Sequence, residues 1–178
     1  MIDRLFTPSA YVASIQQITP EALKARGYTA VITDLDNTLI EWNRAYATEE
    51  VTAWIRSLER AGFDVLVISN NSEDRVRTFS EPLGLRYVAR ANKPLQGGYK
   101  RAFNQLTSPK EEIVAIGDQL MTDILGGNRA GIDTILVLPV VQTDAKATKF
   151  NRFVESKIMK RLEARGLRVQ KEGITWNN

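Results

Sequence analysis

The chain has no cysteine and no histidine among its 178 residues. The first absence excludes disulfides, thiolate metal sites and cysteine nucleophiles. The second excludes His-based triads and phosphohistidine chemistry, and leaves proton transfer near neutral pH to carboxylates, lysine, tyrosine or metal-bound water. No apolar run approaches the roughly 18 residues that suggest a membrane-spanning helix. Met1 to Ala10 lacks the basic start and apolar core of a signal peptide. A cytoplasmic protein is expected, with peripheral contact at the inner membrane face left open. Repeats and long low-complexity segments are also missing.

What is present is an ordinary globular composition, 43% hydrophobic and 25% charged, at a length suited to one domain. Residues 1–178 are expected to form a single module: an N-terminal packing segment (1–29), a core (30–139) and a basic C-terminal extension (140–178). The net charge of +3 is uneven. Residues 144–172 hold nine Lys or Arg against four Asp or Glu, and the remainder holds fifteen against seventeen. A solvated helix face explains such a tract, as does an anionic surface.

Five short apolar runs, at 30–35, 64–68, 85–89, 113–116 and 134–138, alternate with helical patterns. Thr19, Pro20 and Glu21 read as a helix start with a stop at Gly27. Thr48 opens a helix whose Val51, Trp54, Ile55 and Leu58 recur at helical spacing, which makes Trp54 a core residue, and Gly62 ends it. Ser69 to Ser72 stand where a third helix begins. Lys93-Pro94 is expected to open a fourth, carrying Tyr99 and Ala102, and Ser108, Pro109 and Glu111 read as a capping-box turn. This rhythm predicts an α/β fold: a doubly wound, mainly parallel five-stranded sheet with helices on both faces. Ligands bind beyond the carboxyl ends of such strands.

The informative stretch is AVITDLDNT, residues 30–38. Residues i and i+2 of a strand share a face, so Asp34 and Asp36 are expected to project together from the strand's end while Leu35 points the other way. Like charges that close call for a cation or a shared proton, although an Asp-rich turn would also produce the pattern. Asp118 ends the fourth run, Ser69 the second, and Lys93 can reach the same edge. Clustered carboxylates suit Mg²⁺, with Asp34 and Asp118 the natural ligands. Ser69, Lys93 and the backbone around Asn70 suit phosphoryl oxygens.

DLDNT (34–38), VISN (67–70), Lys93-Pro94 and GDQLMTD (117–123) appear in the order of the four motifs of the haloacid dehalogenase (HAD) superfamily, which the chain resembles. PSAYVASI (8–15), GDQLMTD and ILGGNRAG (124–131) are most similar to the YqeG-like branch of its subfamily IIIA. The resemblance implies a Mg²⁺-dependent phosphatase without a separate cap domain. In it Asp34 is the nucleophile and Asp36 the acid and base. Ser69 and Lys93 complete the catalytic set, and Leu35, Thr38, Ser69, Asn70 and Lys93 are the substrate-binding positions. Mg²⁺ would be held by Asp34, the Asp36 carbonyl and Asp118. Thr38 would brace the loop of Asp36. Asp123 lies one residue later than in the commoner GDxxxD form, so a role through water or toward Lys93 is expected.

Relatives in that branch include phosphatidylglycerophosphate phosphatases, so a lipid headgroup phosphate is one implied substrate. An uncapped site accepts a bulky substrate or is closed by a partner subunit. Phe150, Phe153, Val154, Ile158 and Leu162 form an apolar stripe beside Lys149, Arg152, Lys157, Lys160 and Arg161. That helix could pack on the domain or meet an anionic membrane, RNA or a protein. Nucleic acid is disfavoured, because aromatics at helical spacing are poor evidence for base stacking. A receiver module would carry its phosphate acceptor after the third strand instead of the first. A weakly catalytic binding protein for RNA or a protein partner is the alternative.

Overall fold

The computed structural model describes residues 2–141 and 149–177, with side chains from 4–141 and 155–177. Among the described residues six strands form one parallel sheet: β1 (Ala10–Val12), β2 (Ala30–Thr33), β3 (Asp64–Ile68), β4 (Arg86–Val88), β5 (Ile113–Gly117) and β6 (Asp133–Val137), in the order β1-β6-β5-β2-β3-β4. The count exceeds the expected five because the N-terminal segment supplies β1, whose Ala10, Tyr11 and Val12 pair in register with Ile135, Leu136 and Val137. Three residues are too few for periodicity to mark a strand; pairing to β6 makes it one.

Alternation along the strands divides the core. Val31, Val65, Val67 and Val114 face one side, where they meet Trp54, Ile55 and Leu58 of helix α3 (Glu49–Arg60) and Val76 and Phe79 of α4 (Glu73–Ser80). Ala30, Ile32, Leu66 and Ile68 face the other, against Tyr99 and Ala102 of α5 (Gln96–Phe103). Side chains of period two on the strands meet helical stripes on both faces, as a doubly wound sheet requires. Trp54 is core, and its indole donates to Ile18 O at 2.8 Å.

The shorter helices are α1 (Ile2–Phe6), α2 (Pro20–Lys24) and α6 (Leu125–Ala130), and three helix starts follow their caps. Thr19 accepts from Ala22 N, Thr48 from Val51 N and Ser72 from Arg75 N. Gly62 and Gly131 end their helices at φ of 90° and 81°, a left-handed turn that glycine adopts without strain. Two expectations differ. Helix α5 begins at Gln96, so Lys93-Pro94 lies in the turn before it. The Ser108 region makes no capping box: its short 3₁₀ turn, Lys110–Glu112, has no side-chain cap bond, and the Ser108 hydroxyl accepts from Thr29 Oγ1 at 2.8 Å.

Helix α7 (Lys149–Ala164) packs on the domain through Leu162, Ile158 and Met159, which meet Tyr11, Leu120, Ile124 and Leu136. Phe150, Phe153 and Val154, with Lys149 and Arg152, lie outside the described side chains. Residues after α7 run along β1: Ala13 N donates to Gln170 O and Gln170 N to Tyr11 O, which covers that edge of the sheet. Among the described residues no helix is long and apolar enough to cross a membrane.

Candidate active site

From β2 the chain adds β3 and β4 on one side and then β5 and β6 on the other, so the pair β2 and β5 is the switch point of the sheet and a crevice opens beyond their carboxyl ends. Asp34 follows β2 and Asp118 follows β5. Lys93, delivered by the turn after β4, is buried between the acids. Its ammonium donates to Asp34 Oδ1 at 2.6 Å, to Asp123 Oδ1 at 2.6 Å and to Ile68 O at 3.1 Å, which uses all three of its protons. Asn70 fixes the Lys93 backbone from both sides, accepting from its N–H at 2.6 Å and donating to its carbonyl at 3.0 Å. The Ser69 hydroxyl, also buried, accepts from Asn71 N at 3.1 Å.

The extra residue in GDQLMTD is absorbed by a single π turn, Leu120–Ile124. Ile124 N reaches back five residues to Gln119 O, and the wider turn carries Asp123 into the site, where it accepts from Lys93 and from Gln119 N. Gly117 has to be glycine for this approach: a Cβ there would stand 2.3 Å from Asp123 Cβ and Cγ. The ILGGNRAG run is structural in the same way. A side chain at Gly126 would strike the Tyr99 ring, and Asn128 Nδ2 donates to Leu5 O and Thr7 O to hold the N-terminal segment.

One carboxylate oxygen from each of Asp34, Asp118 and Asp123 lies within 4.8 Å of the others. If all three ionise, one ammonium leaves two negative charges uncompensated in a largely buried space. Burial raises the Asp34 carboxyl to about 7; Lys93 pulls it down, and Asp123 and Asp36 push it up. Burial, then Asp34 and Asp123, holds Asp118 well above the usual carboxylate range. Burial works against the Lys93 ammonium, but Asp123 and Asp34 outweigh it and raise its pKa. A divalent cation would reverse the pressure on the carboxylates, and an all-oxygen, doubly negative donor set suits a hard ion such as Mg²⁺. The Thr38 hydroxyl stands 3.1 Å from both Asp34 Oδ2 and Asp118 Oδ1 and donates to one of them at a time. It bridges these acids, and its bond to Asp34 spans the loop that carries Asp36.

Asp34 and Asp36 do not share a setting, because the strand ends at Thr33 and alternation stops with it. Asn37, in the left-handed region at φ 67°, turns the chain, and Leu39 and Ile40 both donate to Leu35 O. The Leu35 side chain is in the core, so only its backbone is left for the site. Asp36 faces the start of α4. Its Oδ1 accepts from Arg75 Nε at 3.1 Å and Nη2 at 2.9 Å, and its Oδ2 from Asn71 Nδ2 at 3.0 Å. Sequence reasoning missed Arg75 and Asn71. One signal was available: a cation in a helix's first turn opposes the helix dipole and so suggests a partner.

The family model described as HAD-hydrolase-like matches residues 90–162. "Probable phosphatase YqeG" of Bacillus subtilis (strain 168) is 46% identical over 166 residues, 93% of this chain and 96% of that protein. "Phosphatidylglycerophosphate phosphatase 1, chloroplastic/mitochondrial" of Arabidopsis thaliana is 27% identical over 93% of this chain, which spans 51% of that protein. Among solved structures, a protein from Listeria monocytogenes serotype 4b superposes with a TM-score of 0.52 at 16% identity, over 76% of this chain and 99% of the other, a likeness of fold. The four ordered motifs, the parallel sheet that gathers them and the 46% identity along nearly the whole length lead to one assignment: the chain belongs to the YqeG-like phosphatase branch of the HAD superfamily.

Proposed function

We propose that the protein is a Mg²⁺-dependent phosphomonoester phosphatase that forms an aspartyl phosphate on Asp34. The observation that carries this reading is the gathering of Asp34, Asp118 and Asp123 within 4.8 Å of one another, with Lys93 bonded to two of them, at the switch point of the sheet. Asp34, Asp118, Asp123 and the Asp36 carbonyl would hold Mg²⁺, which when bound supplies positive charge for phosphoryl oxygens.

In the first displacement an Asp34 carboxylate oxygen attacks phosphorus, the bond from phosphorus to the ester oxygen breaks, and the Asp36 carboxyl gives its proton to the departing alkoxide. In the second, Asp36 takes a proton from water as that water attacks phosphorus and the bond from phosphorus to the Asp34 oxygen breaks, which restores the Asp34 carboxylate. Inorganic phosphate leaves, and both acids return to their starting forms. Lys93 offsets charge beside Asp34 throughout. The Ser69 hydroxyl accepts from Asn71 N and keeps its own proton for a phosphoryl oxygen, and the amides near Asn70 add further donors.

The substrate class we favour is a bulky amphiphilic phosphomonoester such as phosphatidylglycerophosphate. Trp42, Tyr46, Leu95, Leu138 and Val140 are exposed, and all lie in loops that follow the carboxyl ends of β2, β4 and β6. A cleft of 480 Å³ begins beside Thr38 and is lined in part by Leu39, Ile40, Leu138 and Val140. The name of the Arabidopsis relative agrees with this class.

The test is phosphate release from soluble phosphomonoesters and from phosphatidylglycerophosphate in micelles, with Mg²⁺ in excess. Asp34→Asn is expected to lose activity by roughly 10⁴-fold or more. Acid quenching of the wild type should trap a hydroxylamine-sensitive acyl phosphate that the variant lacks. Full activity in Asp34→Asn would refute the mechanism. Turnover confined to soluble esters would remove the lipid substrate and leave the phosphatase.

A further inference from the structure

Arg75 stands in the first turn of α4, three residues after the Ser72 cap. A cation is disfavoured there by the helix dipole, so its position needs an offsetting partner. It has two. Nε and Nη2 both donate to Asp36 Oδ1, and Nη1 donates to Ala45 O at 3.3 Å in the loop between β2 and α3. The ion pair is sheltered, with side chains 15% and 21% exposed, so it is screened less than an open surface pair. Asn71 holds the other Asp36 oxygen. Both oxygens of one carboxylate are thereby engaged by residues that play no part in the chemistry derived above.

We infer that Arg75 is the positioning residue for Asp36: it fixes the orientation of the side chain that exchanges the proton and ties that orientation to the loop around Ala45. The inference rests on the reading of Asp36 as acid and base. In the first displacement the proton passes from the Asp36 carboxyl to the ester oxygen as its bond to phosphorus breaks. A small error in the position of that carboxyl slows the step steeply. The need for the proton depends on the leaving group. An alkoxide is a strong base and requires it; 4-nitrophenolate is a weak base and departs without it. Loss of the aim is therefore selective for alkyl esters, whereas general damage to the fold is not.

The experiment compares kcat/KM for 2-glycerophosphate and 4-nitrophenyl phosphate in the wild type, Arg75→Gln, Arg75→Lys and Asp36→Asn, with Mg²⁺ present. This ratio reports the steps through departure of the leaving group. Arg75→Gln is expected to lose about tenfold or more on the alkyl ester and less than about threefold on the aryl ester. Arg75→Lys should recover part of the alkyl rate, because an ammonium can reach Oδ1 but cannot fork to Ala45 O as well. Asp36→Asn should show the same selectivity more strongly. Selectivity in Asp36→Asn with equal losses, or none, in both Arg75 variants overturns the inference alone. Equal losses on the two esters in Asp36→Asn overturn the underlying reading and the inference with it.

Discussion

Asp34 and Asp36 stand two positions apart in the chain, and their electrostatic settings are opposite. Asp34 belongs to a buried group in which three carboxylates face one ammonium. Asp36 belongs to a balanced pair, one carboxylate with one guanidinium and an amide, nearer to solvent. The first setting is incomplete without positive charge and is suited to collect it, from a cation and then around a phosphoryl group. The second is balanced as it stands and holds the Asp36 side chain in one orientation. A single DxD thus divides into one carboxylate in a cluster of acids and one paired with a guanidinium, because Asn37 turns the chain immediately after them.

The strongest way to break this contrast is to remove Lys93, the cation bonded inside the acid cluster. Lys93→Met leaves Asp34 and Asp123 without their ammonium partner and is expected to cost about 3–5 kcal/mol of stability in the absence of divalent ions, as uncompensated buried charge does. Urea unfolding with a chelator present measures it, and added Mg²⁺ should recover part of the loss. A cost under about 1 kcal/mol would mean that the cluster is less charged than its geometry implies. A smaller effect is expected from Gly117→Ala, whose added methyl meets Asp123 and forces it aside. Overpacking of this kind costs about 1–3 kcal/mol. Thermal unfolding should show that cost, together with a weakened Mg²⁺-dependent rise in Tm. An unchanged Mg²⁺ response would remove Asp123 from the ion's surroundings.

Much of this arrangement was legible in the residues. The run at 64–68 is a strand from end to end, and Thr48 and Ser72 cap the helices they precede, because apolar period and side-chain capping are local properties. Asp34, Ser69, Lys93 and Asp118 come to one sheet edge because each follows a strand of the same parallel sheet. What escaped depends on partners distant in sequence. Ala10–Val12 is a strand through β6, more than a hundred residues on. The π turn that brings Asp123 to Lys93 leaves only a one-residue discrepancy in spacing as its trace. Arg75 reaches Asp36 across thirty-nine positions, and its misfit with the helix dipole was its single local sign.

The central claim is that the acids around Lys93, and not the Asp36 side chain, form the cation site. Isothermal titration calorimetry with Mg²⁺ tests it most directly. The account predicts one Mg²⁺ bound with similar affinity by the wild type and Asp36→Asn, and binding weakened by about tenfold or more in Asp118→Asn, a difference of about 1.4 kcal/mol. Undiminished binding in Asp118→Asn, or its loss in Asp36→Asn, would contradict it.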